Sequence, residues 1–326
     1  MKSPTLDDTT LEALVAAAVA APSIHNTQPW CFRLDPDTVT LEIRAAAARG
    51  LRHTDPTGRA LHLSVGCALF NLRLAVAHSG REPVFRLLPR PDEPDLLAAV
   101  RLGGRLRATS PRRLYDAVWR RHSSRLPFSD RPLPPEVWAE LRDAAHAEGA
   151  LLSFPARDAT DCLLRITREA EHRNTADPDR AAESRSWVLG PHLTDLGMPP
   201  EALGRQDFRE LLPMRDFGAH RHPAALSARP FEKRPTVAVL STGHDRRADW
   251  LRAGQALERV LLVATAHGLR ASLLHQALEW PDLRLRLLPP VSARRGWAQM
   301  VIRLGYGPQG PATPRRPARR VLVDGA

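Results

Sequence analysis

Lysine is almost missing from this chain of 326 residues: of 47 basic residues only Lys2 and Lys233 are lysines, so the formal charge of +11 is carried by arginines scattered along the sequence. A solvated arginine-rich surface is the plain reading of that scatter. With two tyrosines, no zinc-knuckle spacing and no basic stripe interleaved with aromatics, nucleic-acid binding lacks its usual supports. Cysteine is scarce too. Cys31, Cys67 and Cys162 are odd in number, far apart and set among apolar neighbours, as buried thiols in a reducing compartment would be. No uninterrupted apolar stretch reads as long enough to span a bilayer, and "MKSPTLDDTT" has no cationic segment leading into an apolar run. The expectation is a soluble cytoplasmic protein without a membrane partner. No G-x-S-x-G elbow and no H-E-x-x-H occurs, which leaves hydrolase and metalloprotease readings without an anchor. His220 and His222 could meet a metal, but no cysteine or carboxylate stands at ligand spacing, so a solvated loop is preferred and no metal site is expected.

What is present is a repeated pattern. Residues 7–21, "DDTTLEALVAAAVAA", carry acids in the first turn and strong helix formers after it, and Pro22 ends the run. Strands "WCFRL" and "TVTLEI" follow, then the helix "LHLSVGCALFNLRLAVAHSG" closed by Gly80, then strands "PVFRLLP" and "LAAVRLG". At "SPRRLYDAVWRR" a second series opens, with Ser110 suited to an N-cap and Pro111 to the first helical position. A helix from near Pro134 to about Gly149 comes next, and after a long middle region a strand "TVAVLS", a helix "DWLRAGQALERVLLVATAHG" and a strand "QMVIRLG". A shift of 188 positions lays Leu63, Gly66, Ala68, Leu69, Leu74 and Gly80 on Leu251, Gly254, Ala256, Leu257, Leu262 and Gly268. The common order of strand, helix and closing strand favours duplication, with the halves packed about a pseudo-twofold axis. "GYGPQG", residues 305–310, fits a dinucleotide-loop spacing, but prolines at 308, 311, 314 and 317 forbid the helix such a loop needs. A strand running into an extended tail fits better.

Two stretches are harder to assign to structure alone. In "RRHSSRLPF", residues 120–128, Arg121, Ser123 and Arg125 alternate; on an extended segment they share one face and could converge on an oxyanion. An ordinary basic helix C-terminus is the competing reading. In "APSIHNTQPW", residues 21–30, Ser23, Asn26 and Gln28 offer a hydroxyl and two amides, which suit the N–C=O edges of a heteroaromatic ring. A turn held by its own side chains competes with that reading.

Together, "RHSSR", "PSIHNTQPW" and the basic tail "TPRRPARR" resemble the hallmark segments of the nitroreductase family of FMN enzymes, in an unusual order. The resemblance is strongest to the single-chain Acg-type branch and is weak between about 150 and 230. It implies an α+β fold, internally duplicated as a pseudo-homodimer, with long central helices and a mixed sheet in each half. The second series divides the chain into halves 1–109 and 110–326, the latter with the basic tail, and residues 198–231, longer than an ordinary connection, could form a lid insertion. The resemblance further implies one FMN per chain: Arg121, Ser123 and Arg125 would hold the phosphate with Arg316, His122 would contribute backbone, and Pro22, Ser23, Asn26 and, less directly, Gln28 would contact the flavin. The loop near flavin N5 falls on Leu274 and His275, where the family's usual glutamate-glycine is missing, and the His275 imidazole is expected only to shape the pocket. The implied activity is NAD(P)H-linked reduction of a nitroaromatic, a quinone or a specialised small molecule, by a monomer acting as its own dimer. The alternative is a flavin-sequestering protein whose lid covers the cofactor. No residue is assigned an acid or base step.

Overall fold

The same succession of elements is built twice. In the computed structural model, which describes residues 6–106, 112–188, 195–217, 228–288 and 296–323, α1 (Asp8–Val19) leads into β1 (Trp30–Asp35) and β2 (Thr40–Ala45). Helix α2 (Arg59–His78) returns the chain to β3 (Arg81–Leu87) and β4 (Leu96–Arg105). After α3 (Arg112–Val118), the second series runs α4 (Pro135–His146), β5 (Leu151–Ser153), α5 (Arg157–Ala176), α6 (Pro178–Ser186), β6 (Thr236–Thr242), α7 (Arg247–Ala266), β7 (Arg270–Leu273), α8 (Pro281–Arg284) and β8 (Trp297–Gly305), and α9 (Ala318–Val321) lies in the tail. Ser110, Pro111, His220 and His222 lie outside the described residues. Local chemistry sets the boundaries. The Asp7 carboxylate accepts from Thr10 N at 2.9 Å to start α1, and Asp55 accepts from Ala60 N and Leu61 N to start α2.

Strand order is β1-β2-β4-β3 in one sheet and β5-β6-β8-β7 in the other. All six ladders are antiparallel, which corrects the expected mixed sheets. The crossover through α2 does leave β2 and β3 pointing the same way, but β4 is inserted between them and pairs antiparallel with both. Parallel pairing survives among the described residues only as isolated bridges, such as Ser123 to Ala271 and Phe32 to Leu322.

Helices α2 and α7 cross at the centre. A Cβ on Gly66 would lie 2.3 Å from the Leu251 carbonyl oxygen and 2.8 Å from Gly254 Cα; one on Gly254 would lie 2.1 Å from the Leu63 carbonyl oxygen. Only glycine allows this approach, and Gly66 and Gly254 are mates under the 188-residue shift. The crossing is therefore where the pseudo-twofold axis passes. By length and composition α2 could cross a membrane, which the sequence reading did not foresee, but 89% of its apolar window is buried inside the fold. The core runs through both halves without a break, from Trp30 and Phe32 on one sheet to Leu240 and Ile302 on the other.

Candidate functional site

The site begins where α1 stops. Its last carbonyls, Ala20 among them, have no helical donor left, because the chain turns away at Pro22. Gln28 N donates to Ser23 Oγ at 2.9 Å and closes the turn. Inside it His25, Asn26 and Gln28 all adopt positive φ, at 48°, 54° and 48°, a conformation costing a non-glycine residue about 1–2 kcal/mol. Long-range bonds hold it there. Asn26 Nδ2 donates to the carbonyls of Gly197 and Pro314, both at 2.9 Å, and its Oδ1 accepts from Arg315. Gln28 Nε2 donates to the Asp195 carbonyl, and its Oε1 accepts from Arg316 N. The two amides thus stitch segment 195–197 and the tail to the turn, which is a different task from the ring contacts expected of them.

Two joined clefts open beside the turn. The larger encloses about 800 Å³, part of it open to solvent, between the α2 face at Ala60, Leu63 and Cys67, the end of β7 with Leu274 and His275, and the segment bearing Met214, Arg215 and Phe217. The smaller, about 420 Å³, is lined by Asn26, Arg121, His122 and Arg315. Pro22, Ser23, Ser123 and Arg125 line both. Close packing fixes segment 123–125: a Cβ on Gly310 would meet the Ser123 carbonyl oxygen at 2.2 Å, and one on Gly204 the Arg125 Cβ at 2.3 Å. Nine of the eleven residues expected at the site therefore gather on the two clefts. Gln28 and Arg316 line neither. In the extended tail neighbouring side chains point to opposite sides, so Arg315 faces the cleft while Arg316 turns toward Asp195, its Nε 3.9 Å from the carboxylate.

The smaller cleft is short of negative charge. Arg121 is 5% exposed; it donates to the Ala20 carbonyl at 3.1 Å, with its Nε 3.5 Å from the buried Glu258 carboxylate. Arg315 has carbonyl, amide and hydroxyl acceptors, and Arg125 has the Ala202 carbonyl and the Phe217 ring, 5.1 Å away. Among the described residues neither forms an ion pair. Burial, then the neighbouring Arg215, brings Arg125 down to about 10; burial, then Arg121, brings Arg315 down to about 9. Burial also lowers His122, with Arg121 and Arg315 adding to the effect. Three guanidiniums around one carboxylate make a place where a bound anion removes a desolvation penalty.

The far wall of the larger cleft is electrically closed. His275 Nε2 accepts from Arg59 at 3.0 Å, and Nδ1–H donates to Glu279 Oε1 at 2.9 Å. Burial brings this imidazole down to about 4, so it is neutral at neutral pH, with both nitrogens occupied. Burial pushes the Glu279 carboxyl up, but Arg215, His275 and Arg180 outweigh it and hold Glu279 below the usual carboxylate range. Arg215 bonds Glu279 directly and approaches His25 Nε2 at 3.3 Å. His25, buried and lowered well below the ordinary imidazole range by burial and then Arg215, also lines the larger cleft. Sequence reasoning missed His25, Arg215, Arg315 and Glu258. His25 and Arg315 stood inside the quoted segments "PSIHNTQPW" and "TPRRPARR", whereas nothing in the local sequence marked Arg215 or Glu258.

The shift that relates the halves leads to a second position, and its residues differ. Gln255 and Phe85 take the places of Cys67 and Leu273. Between them Arg73 bonds Glu148 and Gln255, both at 2.6 Å, and stacks on Phe85 at 4.1 Å, and Arg259 adds a second bond to Glu148.

No protein-family profile matches the chain. Among curated proteins it is 31% identical to an uncharacterized protein of Mycobacterium tuberculosis, with 96% of this chain and 92% of the relative covered. It is also 31% identical to the protein of the same organism named "Putative NAD(P)H nitroreductase acg", with 96% and 95% covered. Among solved structures, a nitroreductase with bound FMN from Bacteroides fragilis is 13% identical, at a TM-score of 0.37, over 62% of this chain and 92% of that one. The FMN-dependent nitroreductase NfnB of Mycobacterium smegmatis, solved in complex with NADPH, is 16% identical, at a TM-score of 0.35, over 59% and 88%.

Proposed function

The chain belongs to the nitroreductase family, and we propose that it is an oxidoreductase binding one FMN in the joined clefts and reducing it with NAD(P)H. The observation that carries this reading is the trio of buried Arg121 and half-buried Arg125 and Arg315, which have one paired carboxylate, Glu258, among the described residues and line a cleft joined to a larger, mainly apolar one. In it Arg121, Ser123 and Arg125 hold the phosphate with Arg315, which replaces Arg316, and His122 offers backbone. Pro22 and Ser23 border the ring, and Leu274 and His275 form the far wall. FMN supplies the electron transfer; the chain binds and orients it and selects what reaches it. The halves 1–109 and 110–326 act as a dimer within one monomer, the substrate is a nitroaromatic, a quinone or a specialised small molecule, and the free thiols of Cys31, Cys67 and Cys162 suit a cytoplasmic setting.

A second reading, flavin sequestration, draws on the stretch proposed as a lid, 198–231. Its Met214, Arg215 and Phe217 form one wall of the larger cleft, and it is pinned by Arg215 to Glu279, by Asp216 N to Glu171 and by Gln276 to the Pro213 carbonyl. One measurement separates the readings. The absorption spectrum of the purified protein should show a bound-flavin band, bleached anaerobically by NADPH. Bleaching by dithionite alone favours sequestration, and a protein that takes up no flavin rejects both.

A further inference from the structure

One buried carboxylate has no task in the function proposed above. Glu258, on α7, is fully buried at the crossing with α2, and neither of its oxygens has a hydrogen-bond partner among the described residues. Facing it are Asn71 and Cys67 from α2, Arg121 from the segment after α3, and Arg315 from the tail. Asn71 is fully buried, and its amide also lacks a hydrogen-bond partner. The Cys67 thiol, raised well above its ordinary range chiefly by burial, is neutral. Arg121 sits between this carboxylate and the smaller cleft, its Nε 3.5 Å from Glu258 Oε1 and its side chain on the cleft wall.

We propose that Glu258 is the resident counter-ion of the arginine cluster and takes up one proton when a phosphoryl group binds to Arg121, Arg125 and Arg315. The inference rests on the FMN reading of the clefts. In the free protein the Glu258 negative charge is stabilised first by Arg121, its one ion-pair partner among the described residues, and then by Asn71 and Arg315. A phosphate dianion on the other side of that guanidinium competes for it and adds a like charge nearby, and a fully buried carboxylate left chiefly with Asn71 then becomes cheaper to protonate than to keep ionised. The starting point suits this. Burial already brings Glu258 up to about 7, against the pulls of Arg121, Asn71 and Arg315. By linkage, a ligand that takes up a proton binds more weakly as pH rises above the free-site value, by up to about tenfold per pH unit.

The test is isothermal titration of the flavin-free protein with FMN at pH 8, in buffers of different ionisation enthalpy. At that pH a phosphomonoester, with its second pKa of about 6, is dianionic, and His122, held below its ordinary range, is neutral. The expected result is uptake of close to one proton per FMN bound, none for riboflavin, which lacks the phosphate, and FMN affinity falling several-fold between pH 7.5 and 8.5. Glu258→Gln should abolish the uptake and flatten the pH dependence while His122→Gln leaves both unchanged. FMN binding without proton uptake overturns the inference and leaves the FMN reading standing. Uptake that vanishes in His122→Gln and persists in Glu258→Gln also overturns it, and absence of FMN binding overturns both.

Discussion

A neutral imidazole clamped between a guanidinium and a carboxylate makes the far wall of the cleft sensitive to acid. His275 has its ordinary affinity for protons in the unfolded chain, near 6.5, and titrates at about 4 in the fold. Between those values the unfolded state binds the extra proton, so the stabilising contribution is complete above about 6.5, shrinks as pH falls and is gone below about 4. The slope is about 1.4 kcal/mol per pH unit. Urea unfolding from pH 7 to pH 4 should show this loss, and His275→Gln should reduce the slope; an unchanged slope would mean that the imidazole is not held as described. At this scale the sequence was legible in part. Residue types at 22, 23, 121, 123 and 125 carry their chemistry openly. That Asn26 and Gln28 spend their amides on backbone near 196 and 315 depends on partners 167 to 288 residues away. The placement of Arg315 rather than Arg316 follows from the phase of an extended segment, which composition does not fix.

Helix α2 and helix α7 were readable as long apolar runs with glycines at equivalent places, and the structure gives those glycines one job. Gly66→Ala or Gly254→Ala would push backbone against backbone, because the clashing atoms are a carbonyl oxygen and a Cα rather than the end of a flexible side chain. Each should cost roughly 1–3 kcal/mol by denaturant titration, even though alanine is the better helix former. Gly243→Ala, where an added Cβ meets nothing within 4 Å, should stay within about 0.5 kcal/mol. Equal effects at the three positions would remove the close crossing. The middle region was the least legible stretch. Helix α5 buries Leu163, Leu164, Ile166 and Ala170 on one side, a helical spacing present in the sequence but masked by its many charges. Strands β5 and β7 have only 3 and 4 residues, too short for alternation to declare itself without a partner strand.

Duplication was visible in the sequence because the shift preserves the helix-crossing residues. Divergence was visible only in three dimensions, because a cleft is emptied or filled by side chains that meet from four elements. On the mate side Arg73 bonds Glu148 and Gln255, and Arg259 bonds Glu148. Equilibrium dialysis should therefore give one FMN per chain, and a ratio of two would mean that this cluster opens. The repeated sheet order is kept in both halves, while the residues at the two equivalent positions differ. The stitching of the Pro22 turn to the tail carries a further consequence, for the order of events during synthesis. Asn26 leaves the ribosome early and can bond Gly197 once that residue has followed, but its bonds to Pro314 and Arg315 must wait for the tail. Both sheets can be complete before the tail adds Arg315 to the wall of the smaller cleft, so in the proposed site that phosphate contact is the last to be made.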